Sequence, residues 1–296
     1  MSKLYRNSRA ARLARALAWA APLAALLVIA GRHAAGAAPA TAVTDLGHGP
    51  VVVIVPDLAS NRLAWMAVAR RLIGSHRVVL VDLPGQGGTA LPDPFGYAAA
   101  AAAIDSVLVT LPADSTVLIG HGAGAVVAAH VARAHPEHFR GLGLVDLPAK
   151  FPIAVPDAQR KLFAQWMADN YDALIARLYE AQGPDTVHGK DLFAAASLVP
   201  RATMTAYLRA ALDLDVAPVL HGFGKPVLYV GSELRWPAER PWAELAAERG
   251  LDPSRVEAHR VPGCGRWIMK DQPDSLASAI DAFAAHALEN PSTAGR

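Results

Sequence analysis

Apolar and polar positions along this chain follow two alternating periods. VVVIV (51–55) is an unbroken apolar run rich in β-branched residues, as in a strand buried on both faces. RVVLVDL (77–83), TVLIG (116–120), GLGLVDL (141–147), PVLYVG (226–231) and VEAHRV (256–261) give five further strands. Helical spacing falls between them, over 62–73, near 97–111, over 123–134 and over 241–249. A last helix is predicted over 274–288, with Asp274 or Ser275 near its start. Strands alternating with helices predict an α/β fold, a mainly parallel sheet covered on both faces. The alternation stops at 157–215, which reads as helix only, with Trp166, Met167, Tyr171, Leu174 and Leu178 at helical spacing. This block reads as one insertion above the C-terminal ends of the strands, where such sheets bind ligands.

Charge changes the picture at the N-terminus. Residues 1–40 carry Lys3, Arg6, Arg9, Arg12, Arg15 and Arg32 and no acid. Without these six, 22 basic side chains face 26 acidic ones, so the rest of the chain is mildly acidic and lacks the basic footprint of a nucleic-acid binder. The basic stretch precedes the apolar run ALAWAAPLAALLVIAG (16–31) and the small-residue segment AAGAAPA, the layout of a secretory signal. The run contains Pro22 and falls short of the roughly 20 residues that span a bilayer. Export to the periplasm or the exterior is therefore expected, with an uncleaved membrane anchor as the alternative. Cys264 is the only cysteine, so no intrachain disulfide forms.

TVLIGHGAGAVVAAH (116–130) carries a glycine-rich turn between strand and helix. Gly120-His121-Gly122-Ala123-Gly124-Ala125 fits the dinucleotide pattern G-x-G-x-x-[GA], with Asp146 about 20 residues on as a ribose-binding acid. Its context argues otherwise: two strand–helix units precede the turn, and a helical block follows where further β-α units belong.

Several segments in order resemble the α/β-hydrolase superfamily over roughly residues 44–288. Asp82-Leu83-Pro84-Gly85-Gln86-Gly87-Gly88-Thr89 is similar to its D-x-P-G-x-G-x-S/T turn. Gly120 to Gly124 is similar to the G-x-S-x-G nucleophile elbow. Gly263-Cys264-Gly265-Arg266-Trp267, followed by Asp271-Gln272-Pro273, is similar to the segment that carries the catalytic histidine. The resemblance implies a core over 41–155 and 219–290, a helical cap over 156–218 and a short tail at 291–296. It places Gly122 at the nucleophile position, where serine is absent, and Arg266 at the histidine position, where an always-protonated guanidinium cannot act as a base. Glu233 or Asp146 is the candidate acid. Leu58 and Ala123 hold the oxyanion-hole positions, with Asp57 beside them, where its charge is counterproductive unless it is paired or turned away. His121 and His259 lie outside the family's base position and read as structural.

Two uses of the altered site follow. Asp57 and Arg266 are candidates for binding a small anion at the start of helix 123–134, or Arg266 simply pairs with Asp57, Asp146 or Glu233. Trp166, Met167, Tyr171, Phe193 and Met204 line an apolar cavity if they face the sheet. The leading expectation is an exported, catalytically inactive hydrolase relative that binds a small ligand or an unidentified protein partner. The alternative is an active hydrolase of ester- or amide-type substrates, with an atypical mechanism that uses Glu233, Asp146 or Asp57. Dinucleotide binding is a third reading. No cofactor and no metal is expected, since no histidines and carboxylates cluster at ligand spacing.

Overall fold

The computed structural model describes residues 41–151 and 155–289, so the predicted export signal and the tail lie outside the described residues. Seven strands are present: β1 (Val43–Gly47), β2 (Val51–Val55), β3 (Arg77–Val81), β4 (Thr116–His121), β5 (Gly141–Val145), β6 (Val227–Ser232) and β7 (Val256–Val261). They form one sheet in the order β1-β3-β2-β4-β5-β6-β7, antiparallel only between β1 and β3. Every residue of β2, β4, β5 and β6 is buried, as their unbroken apolar runs require. β1 was not predicted. It is a short edge strand whose positions are exposed or half-buried, so it shows no apolar run to read.

Helices cover both faces. On one lie α2 (Tyr97–Leu108) and α3 (Ala123–Ala134), in contact with each other, with α3 laid along β4 and β5. On the other, α1 (Met66–Leu72) packs against α11 (Pro273–Glu289), which runs under β5, β6 and β7. The predicted helix over 62–73 divides into a 3-10 turn at Arg62–Trp65 and α1, with Trp65 fully buried at the junction.

Between β5 and β6 the chain makes α4 (Asp157–Asp169), α5 (Tyr171–Glu180), α6 (Thr186–Ser197), α7 (Arg201–Ala211) and the short α8 (Ala217–Leu220). The insertion is closed at its neck by a bridge between Lys150 and Asp215 and by the Val216 N–H donating to Ala149 O at 3.0 Å. From α7, Thr203 Oγ1 donates to Gly85 O (2.9 Å) and Tyr207 Oη to Pro84 O (3.0 Å), so the helices sit on the turn after β3. α9 (Trp242–Glu248) and α10 (Ile268–Asp271) complete the elements. Among the described residues no helix is long and apolar enough to cross a membrane.

Candidate active site

The turn from β4 into α3 holds Gly122 at φ 54°, ψ −115°, a left-handed conformation that glycine enters with least strain. The volume a side chain would take there is occupied, because a Cβ on Gly122 would overlap the carboxylate of Asp57. Gly124 is glycine for another reason: its Cβ would strike the carbonyl oxygens of Val55 and Pro56. The turn's glycines thus pack helix against strand, and a carboxylate stands in front of the helix. That arrangement corrects the dinucleotide reading, since a pyrophosphate has no place at an N-terminus already held by Asp57.

Asp57 is fully buried. Its Oδ1 accepts the N–H groups of Leu58 and Ala123, both at 2.7 Å, so the two oxyanion-hole positions point their donors at this carboxylate. Its Oδ2 accepts from Nε of Arg266, whose Nη1 donates to Gln182 Oε1. The backbone N–H of Arg266 also donates to Gln182 O at 2.9 Å, and the guanidinium lies 5.6 Å from the Tyr179 ring centre. Of the two uses expected for Arg266, the structure has the pairing with Asp57. Gln86 holds the loop from the other side: its Oε1 accepts from the Ala59 N–H at 2.9 Å. Ala59 sits at φ 65°, a strained position that this bond fixes.

Burial alone would raise the Asp57 carboxyl, but the charges of Arg266 and His121 and the bonds it accepts outweigh it and hold it below the usual carboxylate range. Arg266 moves the opposite way: burial works against its charge, and Asp57 more than restores it. Together they make a buried, mutually neutralised pair.

The two candidate acids lie in different settings. Asp146, at φ 49° after β5, is buried and accepts from Ser232 N and Oγ, each at 2.7 Å. Burial pushes its carboxyl up. Glu233 is exposed, and bonds to Arg260 (3.0 Å) and to the Gly263 N–H (2.9 Å) tie the ends of β6 and β7 together. His121, read as structural, is fully buried within reach of the charges of both Asp57 and Asp146, with neither ring nitrogen bonded among the described residues. Its ring meets Trp65 edge-on at 5.8 Å, and burial pushes its pKa down against the charges of Asp57 and Asp146. His259 is exposed on the edge strand β7.

A cavity of about 250 Å³ is lined by Arg266, Leu58 and Ala123, the three residues bonded to Asp57, while Asp57 itself is fully buried and does not line it. Its apolar wall comes from Leu58, Tyr97, Leu178, Tyr179, Tyr207 and Leu214. The five aromatic and methionine residues expected to line it do not: Trp166 is half exposed, and Met167 and Met204 are packed into the interior. Helical spacing gives the side of a helix, but the tilt of each helix decides which side meets the sheet. Tyr179 and Gln182, at and just after the end of α5, and Arg235, after β6, join the site with no motif to mark them.

The expectation that no histidines and carboxylates cluster also needs correcting. Asp105, His135 and His138 bring one ligand atom each to within 4.8 Å of one another, and none of the three lines the cavity. The helix pair α2 and α3 joins residues about 30 positions apart. His138 Nδ1 is already hydrogen-bonded to Asp105 at 2.7 Å.

A sequence model of the alpha/beta hydrolase family matches residues 52–279. The chain is 29% identical over 249 residues to the biotin biosynthesis bifunctional protein BioHC of Cellvibrio japonicus, covering 79% of this chain but only 47% of that one, so it spans about half of that relative's length. It is 27% identical over 264 residues to the pimeloyl-[acyl-carrier protein] methyl ester esterase of Xanthomonas oryzae pv. oryzae, covering 81% of this chain and 97% of the relative. A malate-bound thermophilic esterase from Thermogutta terrifontis superposes with a TM-score of 0.65 at 23% identity, over 83% of this chain and 93% of that one. A hydrolase from Oleispira antarctica gives 0.68 at 14%, over 85% and 96%. These relatives overturn the leading expectation of a catalytically inactive binding protein: an esterase aligned over nearly its whole length fits the active-hydrolase alternative better.

Proposed function

Because this chain belongs to the alpha/beta hydrolase family, we propose that it hydrolyses ester- or amide-type substrates without a serine–histidine pair, using water and the carboxylate of Asp57. The observation that carries this reading is the place of that carboxylate. It fills the volume at the elbow where a side chain on residue 122 would stand, bonded to Arg266, Leu58 and Ala123, which themselves line an apolar cavity. The esterase relatives support the substrate class.

The steps balance with groups already in the site. The acyl chain lies along Leu178, Tyr179 and Leu214. Asp57 takes a proton from a water whose oxygen attacks the carbonyl carbon. The guanidinium of Arg266 faces the developing oxyanion, through Nη2, which makes no hydrogen bond among the described residues. The proton then passes from Asp57 to the leaving oxygen or nitrogen, releasing acid and alcohol or amine with no covalent intermediate. Against burial, the charge of Arg266 and the bonds Asp57 accepts hold its carboxyl below the usual carboxylate range, so it is ionised but a weak base.

The test is turnover of short- and medium-chain acyl esters by wild type and by Asp57→Asn, with thermal melts confirming that both are folded. Asp57→Asn is expected to lose about 100-fold or more in kcat/KM, the scale of a general base. Equal rates in the two proteins, or a wild-type rate no higher than buffer, would overturn the reading.

A further inference from the structure

Four of the cations around the site are committed. Arg266 holds Asp57, Lys150 holds Asp215 at 3.0 Å, Arg240 holds Glu248, and Arg249 donates to the carbonyl oxygens of Leu147 (2.9 Å) and Leu245 (2.8 Å). Arg235 is different. Its backbone N–H is bonded to Ser232, but its guanidinium has no hydrogen bond or ion pair among the described residues. It lines the same cavity as Arg266 and also an adjoining depression of about 570 Å³ that shares Pro148, Lys150 and Phe151 with it. A half-buried guanidinium between two openings, facing a mostly apolar wall, is unfavourable unless something anionic completes it.

We infer that Arg235 is the anion-recognising residue of this site, and that the substrates are half-esters of small dicarboxylic acids whose free carboxylate it grips by its two-pronged donor face. This inference rests on the hydrolase reading above and adds the substrate class. The planar fork of arginine fits a carboxylate through two parallel N–H···O bonds. The apolar wall suits a short methylene chain between carboxylate and ester. Neighbouring acids leave room for the charge: Asp57 is neutralised by Arg266, and Glu233 is turned to Arg260 and Gly263. Burial pushes the Asp146 carboxyl up, and burial first and the nearby charge of Arg266 second work against the charge of Arg235, which a bound carboxylate offsets.

Two readouts on the full chain separate this inference from the reading beneath it. In thermal melts, succinate and glutarate at concentrations well above Kd are expected to raise Tm by about 2–4 °C. Neutral glutaramide should not, Arg235→Gln should abolish the rise, and Arg235→Lys should keep part of it. In kinetics, monomethyl glutarate should exceed methyl butyrate by about tenfold in kcat/KM, and Arg235→Gln should erase that preference mainly through KM. An equal Tm rise in Arg235→Gln, or a larger rise with inorganic phosphate than with either dicarboxylate, would overturn the inference. If Tm responds through Arg235 but no ester is turned over, the carboxylate site stands and the hydrolase reading fails. If esters are turned over with no preference for the half-ester, the reverse holds.

Discussion

Asp57 and Arg266 share one buried contact, and removing either partner leaves the other charged in the interior. Arg266→Ala is expected to cost about 3–5 kcal/mol, the scale for an uncompensated buried charge, and adding Asp57→Asn should recover a large part of it. Denaturant melts of the two single variants and the double variant measure that coupling. Gly122→Ser places a side chain where the Asp57 carboxylate stands, so it should destabilise by about 1–3 kcal/mol. The loss should shrink when Asp57 is cut back to glycine, because the two side chains compete for one volume. Restoring serine at the elbow therefore requires residue 57 to change with it. Additive losses in this pair would show that the elbow relaxes in some other way.

At the scale of elements, the start of α3 is fixed by its closeness to the end of β2. Gly124→Ala should cost about 1–3 kcal/mol, since the new methyl meets the backbone carbonyls of Val55 and Pro56, which cannot rotate away. Gly96, before α2, has extended backbone and open space around it, so Gly96→Ala should shift stability by no more than about 0.5 kcal/mol. Urea midpoints of the two variants give the contrast directly. The elements themselves were largely legible in the sequence. Strand 51–55 and helix 123–134 have the bounds their periodicity gives, because buried runs and a 3.6-residue spacing are local properties. The edge strand β1 escaped, since a strand half open to solvent need not be apolar.

For the whole molecule, acid should act through two buried carboxylates with opposite shifts. The folded-state pKa of Asp57 is lowered, so its stabilising contribution is present above the unfolded value of about 3.9 and is lost as pH falls through the folded value. Asp146 has a raised folded-state pKa, so its contribution is present below about 3.9 and is lost as pH rises through the folded value. Asp57→Asn should accordingly flatten the acid side of the stability profile and lower stability at pH 7. Asp146→Asn, which keeps an acceptor for the Ser232 N–H and removes a buried charge, should be neutral or stabilising at pH 8. Thermal melts from pH 3 to 9 test both signs; a loss of stability at pH 8 in Asp146→Asn would contradict the account of Asp146.

The sequence by itself determined the fold class, the succession of strands and helices and the family, because hydrophobic periodicity and turn chemistry are written within a few neighbouring residues. It also brought forward Gly122, Arg266, Asp57 and Asp146 by their positions in ordered segments. What those residues do was decided by tertiary structure alone. The Asp57 carboxylate turns into the elbow instead of away from it, and Arg266 closes over it with Gln182 from the cap. Arg235 is left as the unpaired cation of the cavity among the described residues. Pairing, burial and vacancy depend on which distant side chains share a volume, and that is settled only once sheet, helices and cap are packed together.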